Sequence, residues 1–321
     1  MKMNKKEIIK YLIFASLGVL IVYFIQKNFT FSEFLRNIKM AKIQYVILSV
    51  SMGVVAVYIR ALRWQLLLEP MGYKTNLGNA YHSTMSGYLV NLGIPRSGEV
   101  LRCAMLAKTD KVPLNVLVGT VLSERILDLL MLVLVVFGAV LLQFDLLYGY
   151  IYENVIVKLR DNSLVLIIAS IIGVLGLVFV LNAKRFFRAD SGIGKMFLGF
   201  FDGIKSVFTL KKPILFIAYT IGIWVCYWLT TYSILMAFDF TEHLGVDGAL
   251  STLVFSTIGV IIPAPAGGAA IYSIYFGLNQ IYSIPIAQAK AIAIVMFSSS
   301  IIMIIIAGTI SYIIMAKRTK A

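Results

Sequence analysis

Residues 91–99 read Asn91-Leu92-Gly93-Ile94-Pro95-Arg96-Ser97-Gly98-Glu99, and residues 263–268 read Pro263-Ala264-Pro265-Ala266-Gly267-Gly268. Each stretch interrupts an apolar segment with residues that end helices. Proline lacks a backbone donor and biases the residue before it away from helix, and glycine is a poor helix former. The apolar runs leading into the breaks, 77–92 and 248–262, hold 16 and 15 residues. A helix needs about 20 apolar residues to cross a bilayer core. A third short run, 266–283, follows the second break. The breaks also correspond in position: Pro95 to Pro265 and Gly98 to Gly268 are both separated by 170 residues. The long apolar runs before them begin at 45 and 213, and those after them at 116 and 288, offsets of 168 and 172.

Six runs are long enough to cross: 8–26, 45–67, 116–143, 164–182, 213–238 and 288–315. The expected fold is therefore an all-α polytopic membrane protein, a single integral membrane domain over 1–321. It has about six full transmembrane helices and two re-entrant broken-helix segments, 77–108 and 248–283. Half one covers 1–143 and half two 164–315. Six crossings put the two broken segments on opposite sides, which makes the halves an inverted repeat. An eight-span alternative makes 70–112 a cytoplasmic amphipathic hairpin and counts 248–262 and 266–283 as short full crossings, and hydropathy leaves it open.

Composition and charge agree with a membrane protein. Of 321 residues, 60% are hydrophobic and 14% charged, and the mean hydropathy is +0.90. Soluble domains are roughly 45–50% apolar and about 25% charged. Lys and Arg total 29 against 15 Asp and Glu, a net charge of +14. With the N-terminus in the cytoplasm, 21 basic residues fall on cytoplasmic segments and 7 on outer ones, with Arg125 inside a span. The net charges become +15 inside and zero outside. This is the positive-inside bias, and it leaves no excess charge that calls for nucleic acid. Both termini are expected in the cytoplasm. Cys103 and Cys226 stand apart, and neither His82 nor His243 has a ligand cluster around it. No metal and no cofactor is expected. A phosphate-cradling ATPase loop is also missing from the sequence, since Ser191-Gly192-Ile193-Gly194-Lys195 lacks its spacing.

Charges inside apolar runs need a reason, because they cost a few kcal/mol each and face a cavity or a partner. Span 116–143 holds Glu124, Arg125 and Asp128, which the hydropathy places near the cytoplasmic edge of the core. Glu124 and Asp128 share a face, and Arg125 and Asp128 are spaced to pair. Arg60 and Arg63 lie one turn apart before Trp64. They read either as interfacial anchors or as phosphate-binding guanidinium groups. Glu99 and Arg102 follow the first break, and the serines 298–300 lie in the last span, where close helix packing explains them. The candidate headgroup-binding set is Arg63, Arg102, Arg125, Glu99, Glu124, Asp128 and Asn91. Pro95, Gly98, Pro263, Pro265, Gly267 and Gly268 form the breaks.

Arg60-Ala61-Leu62-Arg63-Trp64, the 91–102 stretch, Ser123-Glu124-Arg125-Ile126-Leu127-Asp128 and the 263–268 stretch together resemble the lysylphosphatidylglycerol synthase transmembrane-region family, also called flippase-like membrane proteins. The resemblance covers nearly the whole chain. In longer relatives, the multiple peptide resistance factor proteins, a cytoplasmic aminoacyl-transferase domain follows this region. Here nothing follows Ala321, so the resemblance implies the lipid-translocating part and argues against lysyl transfer. Many relatives carry an acidic residue shortly after the glycines, whereas this chain continues Ala269-Ala270-Ile271 to Tyr272. The expected function is a flippase or transporter for an amphipathic, phosphate-containing lipid in a bacterial-type cytoplasmic membrane. The alternatives are a membrane-embedded enzyme acting on lipid-linked phosphates and a non-catalytic partner of a separate transferase. The expected partners are membrane lipids, a second copy of the chain or a separate lipid-modifying enzyme.

Overall fold

A computed structural model describes residues 31–94, 96–144, 146, 148, 152, 210–261 and 268–319. The expected spans 8–26 and 164–182 lie outside the described residues, as do Pro95, Pro263, Pro265 and Gly267. Among the described residues every regular element is helical. They are α1 (Phe31–Ile38), α2 (Ile43–Leu68), α3 (Leu77–Gly93), α4 (Ser97–Asp110), α5 (Leu114–Leu142), α6 (Pro213–Met236), α7 (Gly245–Ile261), α8 (Gly268–Tyr282) and α9 (Ile286–Arg318). Short 3-10 turns extend α2 through Met71 and precede α7 from Asp239.

Four helices are long. With 26, 29, 24 and 33 residues, α2, α5, α6 and α9 run about 39, 44, 36 and 50 Å at 1.5 Å per residue. These are the four expected spans that fall among the described residues. Their outward faces carry exposed Leu, Ile, Val and Phe, such as Leu129, Val133, Phe137, Ile217 and Ile306, as lipid-facing helices do. A fifth stretch, Asp239–Val260, also reaches crossing length and hydropathy once the 3-10 turn is joined to α7. The apolar count over 248–262 missed it because Asp239, Glu242 and Asp247 sit in its first turns.

The shorter helices pair into two hairpins, α3–α4 and α7–α8, with arms of 17, 14, 17 and 15 residues. Hydrogen bonds fix which way each one opens. Asp110, closing α4, accepts the Asn76 backbone N–H at 2.6 Å and Asn79 Nδ2 at 2.8 Å at the start of α3. Asn79 in turn accepts from Arg318 at the end of α9. The first hairpin therefore opens at the Arg318 end of the molecule. At the other end Gln143, following α5, donates to the Asp247 carbonyl in α7 and accepts from the Tyr282 hydroxyl at the end of α8. Lys42 there joins the start of α2 to Asp239 and Glu242. These partners and the hydrogen bond from Lys42 N–H to the Ala237 carbonyl tie α2 to the end of α6. The two hairpins thus open at opposite ends.

Both hairpins stop part-way along α9. His82 bonds Ser311, and Gly308 lies against Met85 and Leu89, so α3 descends α9 residue for residue. Its last turn falls near Ile302, the middle of α9. From the opposite end Lys290 stands over the Tyr275 ring, which sets the start of α8 near Ser298. Ile271, Ile274 and Leu278 of α8 and Leu89 and Leu92 of α3 share one apolar core with Ile292–Met296 of α9.

The packing of one half recurs in the other. α2 packs on α3 as α6 packs on α7, α4 on α5 as α8 on α9, and the last helix of each half on the first arm of the other half's hairpin. The hairpin exits match too. Lys111 and Ser283 both adopt a left-handed backbone (φ 56° and 54°), and each is followed two residues later by the proline that caps the next long helix, Pro113 or Pro285.

Candidate functional site

The polar residues of half one meet where α2, α4 and α5 converge. Asp128 is the central residue of α5, fourteen from Leu114 and fourteen from Leu142. α5 begins at Leu114, earlier than the apolar run suggested. Glu124 and Asp128 lie about 15 and 21 Å along the helix from Leu114. The two carboxylates share a face of α5, yet each meets a different neighbouring helix, because α5 lies between α4 and α2. Asp128 accepts from Arg63 Nη2 at 2.9 Å through Oδ1 and from Arg60 Nη2 at 3.0 Å through Oδ2. Glu124, fully buried, accepts from Arg102 Nη2 at 2.6 Å.

Glu99 links the remaining pair. Its Oε1 lies 2.7 Å from Arg125 Nη2. Its Oε2 lies 2.8 Å from Arg102 Nε, yet neither of those two atoms has a hydrogen-bond partner. Arg125 and Asp128 approach only to 3.9 Å, so the expected i,i+3 pair is the weakest contact in the group. The Arg102 guanidinium stands 4.7 Å from the Trp64 ring centroid, a cation–π arrangement. Trp64 donates from Nε1 to Thr120. Tyr227 of α6 accepts from Arg60 at 3.1 Å, which brings half two to the edge of the cluster.

Four guanidinium groups thus face three carboxylates, an excess of one positive charge. Buried donors remain without a hydrogen-bond partner among the described residues: Arg60 Nε and Nη1, Arg63 Nε and Nη1, and Arg102 Nε and Nη1. Burying charge costs several kcal/mol per ion unless it is paired and hydrogen-bonded, and this cluster is only partly paired. Planar guanidinium donors suit phosphate oxygens, which accept two parallel N–H bonds at once.

Of the residues expected in the site, Arg63, Arg102, Arg125, Glu99, Glu124 and Asp128 come together. Asn91 does not join them, because its Oδ1 accepts the Gly98 N–H at 2.7 Å and closes the first hairpin's tip. Arg60, read beside Arg63 as an anchor or a phosphate-binding group, stood outside the candidate set, although it is one turn from Arg63 with the same chemistry. Trp64, Thr120 and Tyr227 were missed as well. Tyr227 gave no sequence signal, since it lies 167 residues from Arg60 in an apolar helix rich in aromatics.

Among the described residues half two has no counterpart of this cluster. At the hairpin offset of 172, Glu99, Arg102, Glu124, Arg125 and Asp128 correspond to Ile271, Ile274, Met296, Phe297 and Ser300. Ile271, Ile274 and Met296 are buried in the apolar core.

The long apolar helices, the two opposed hairpins and the buried charges describe a multi-pass helical membrane protein. Residues 8–308 match the family described as the lysylphosphatidylglycerol synthase TM region, and the chain belongs to that family. It is also similar to a UPF0104 membrane protein of Methanocaldococcus jannaschii, 30% identical over 88 residues, 26% of this chain. The matched stretch spans about a quarter of that relative's length (26%). No solved structure matches the chain.

Proposed function

We propose that the protein is a lipid flippase, moving an amphipathic lipid with a phosphate-containing headgroup across the cytoplasmic membrane. The observation that carries this reading is the unbalanced arginine cluster: one positive charge in excess and buried guanidinium donors left open, deep in a lipid-facing helical protein. A phosphate headgroup supplies the missing anion and acceptors, while the acyl or prenyl tails stay in the lipid. Arg60, Arg63, Arg102 and Arg125 bind phosphate in this reading, and Glu99, Glu124 and Asp128 orient them. The hairpins are re-entrant segments of an inverted repeat, entering from opposite faces. Short interrupted helices at matching places in two halves are where transporters bind substrate. The positive-inside rule puts the Arg318 end in the cytoplasm, so the cluster serves the inner half of the membrane. Transport draws on a proton or lipid gradient. Its partners are the membrane lipids, a second copy of the chain or a separate lipid-modifying enzyme.

Reconstitution into liposomes with a panel of labelled lipids tests the proposal. Phosphate-containing lipids should cross faster with the protein than without it, and a diacylglycerol should not. If no lipid is accelerated, the reading fails. A purified protein that instead changes the mass of a lipid-linked phosphate would make it an enzyme.

A further inference from the structure

We infer that Glu99 is a displaceable carboxylate lid on the arginine cluster, and that an anionic headgroup reaches the cluster sideways from the lipid, along the seam between α4 and α5. The inference rests on the lipid reading above and adds the route and the residue that guards it.

Exposure in the cluster is concentrated at Glu99 and Arg125, with Asp128 at 15%. Arg63 and Glu124 are fully buried and Arg60 and Arg102 nearly so, whereas the side chains of Glu99 and Arg125 are 27% and 42% exposed. Toward the Arg318 end the way is filled by a buried apolar group that includes Trp64, Leu68, Leu106, Val112 and Leu117. The open edge is therefore not a water-filled mouth at the helix ends. It is flanked by exposed apolar side chains, Val100 at 64%, Ile126 and Leu129, a surface suited to hydrocarbon rather than to water.

The Glu99–Arg125 pair bridges this seam from α4 to α5. Glu99 holds two arginines with one oxygen each, and its contact with Arg102 Nε is close but misdirected. A carboxylate so placed occupies the position a phosphate would take between Arg102 and Arg125, with a poorer fit. An arriving phosphate competes with it for Arg125 and swings it aside. The matching seam of half two offers no such path. There the residues corresponding to Glu99 and Arg102 are Ile271 and Ile274, both buried, and α8 packs on α9 more closely than α4 does on α5. Sideways loading is therefore a property of the inner half alone.

The test uses the full chain in nanodiscs containing a trace of phosphatidylglycerol with a photoreactive diazirine on its headgroup. After illumination, adducts are mapped by mass spectrometry for the wild-type chain and for Glu99→Gln. Adducts should fall on α4 and α5 around Val100, Arg102 and Arg125. They should rise roughly fivefold in the variant, the equivalent of losing one partly exposed ion pair. Glycerol phosphate added to the water should leave them unchanged. If Glu99→Gln does not survive reconstitution, Glu99→Asp keeps the charge but is too short to bridge both arginines, and the same rise is expected. Adducts that are equal or fewer in the variant would overturn the lid and leave the anion site standing. Adducts abolished by glycerol phosphate would mean that the cluster opens to water, which overturns the sideways route. No adduct on the cluster in any chain would remove the lipid-binding reading itself.

Discussion

Removing Glu124 alone leaves Arg102 buried with only the misdirected Glu99 contact and the Trp64 ring. Breaking a buried pair by deleting one partner costs about 3–5 kcal/mol, whereas replacing both partners by apolar residues is often neutral. Glu124→Leu is therefore expected to lower thermal stability in detergent sharply, and Arg102→Met/Glu124→Leu to recover most of the loss. Asp128→Asn strips the charge partner from both Arg60 and Arg63. It should destabilise by a similar amount, read by the same thermal melt. Most of the cluster was legible because a charge in an apolar run demands a partner. Which partner it finds was not legible. Glu124 meets Arg102 and Asp128 meets Arg60 and Arg63 because α5 lies between α4 and α2, and sequence spacing along one helix cannot say so. Asn91 misled for the same reason. A polar residue beside a break is as well suited to capping a turn as to holding a ligand, and here it caps.

At the scale of elements, each hairpin closes on a backbone contact that leaves no room for a side chain. A Cβ on Gly98 would lie 1.9 Å from the Gly87 carbonyl oxygen, and one on Gly259 would lie 2.4 Å from Ala270 Cα. Both contacts involve residues eleven apart in the chain. Gly98→Ala and Gly259→Ala should each force the arms apart, at a cost of about 1–3 kcal/mol or more. Gly222→Ala, whose Cβ would sit 3.6 Å from an Ile59 methyl, should be tolerated. Melting temperatures of the three variants check this. The broken segments were legible from Pro and Gly in short apolar runs, but the matching of their residues was not. Gly98 corresponds by role to Ala270 rather than to Gly268, because the hairpin and its exit keep the 172-residue offset of the helices that follow. The repeated exits Lys111-Val112-Pro113 and Ser283-Ile284-Pro285 carry that offset in the sequence.

Over the whole molecule, two hairpins opening at opposite ends make a prediction about sidedness. In a Cys103→Ser/Cys226→Ser background, Gln280→Cys near the base of the second hairpin should react with a membrane-impermeant thiol reagent added outside intact cells. Lys108→Cys near the base of the first should react only after the cells are opened. Labelling of both from one side would contradict the opposed hairpins. The opposition was foreseeable from span counting and charge bias, whereas the unequal chemistry of the halves was not. It needed the structural match that sets Glu99, Arg102 and Asp128 against Ile271, Ile274 and Ser300. Under the proposed function the charged half binds and the apolar half packs, so movement of lipid should depend on the arginine cluster and not merely on a folded protein. The most direct measurement is fluorescent phosphatidylglycerol in liposomes, with the outer leaflet bleached chemically, for the wild-type chain and for Arg102→Met/Glu124→Leu. The wild-type chain should bring the inner-leaflet label out to be bleached, and the folded double variant should leave it protected. Equal bleaching in the two would contradict a headgroup path through the arginine cluster.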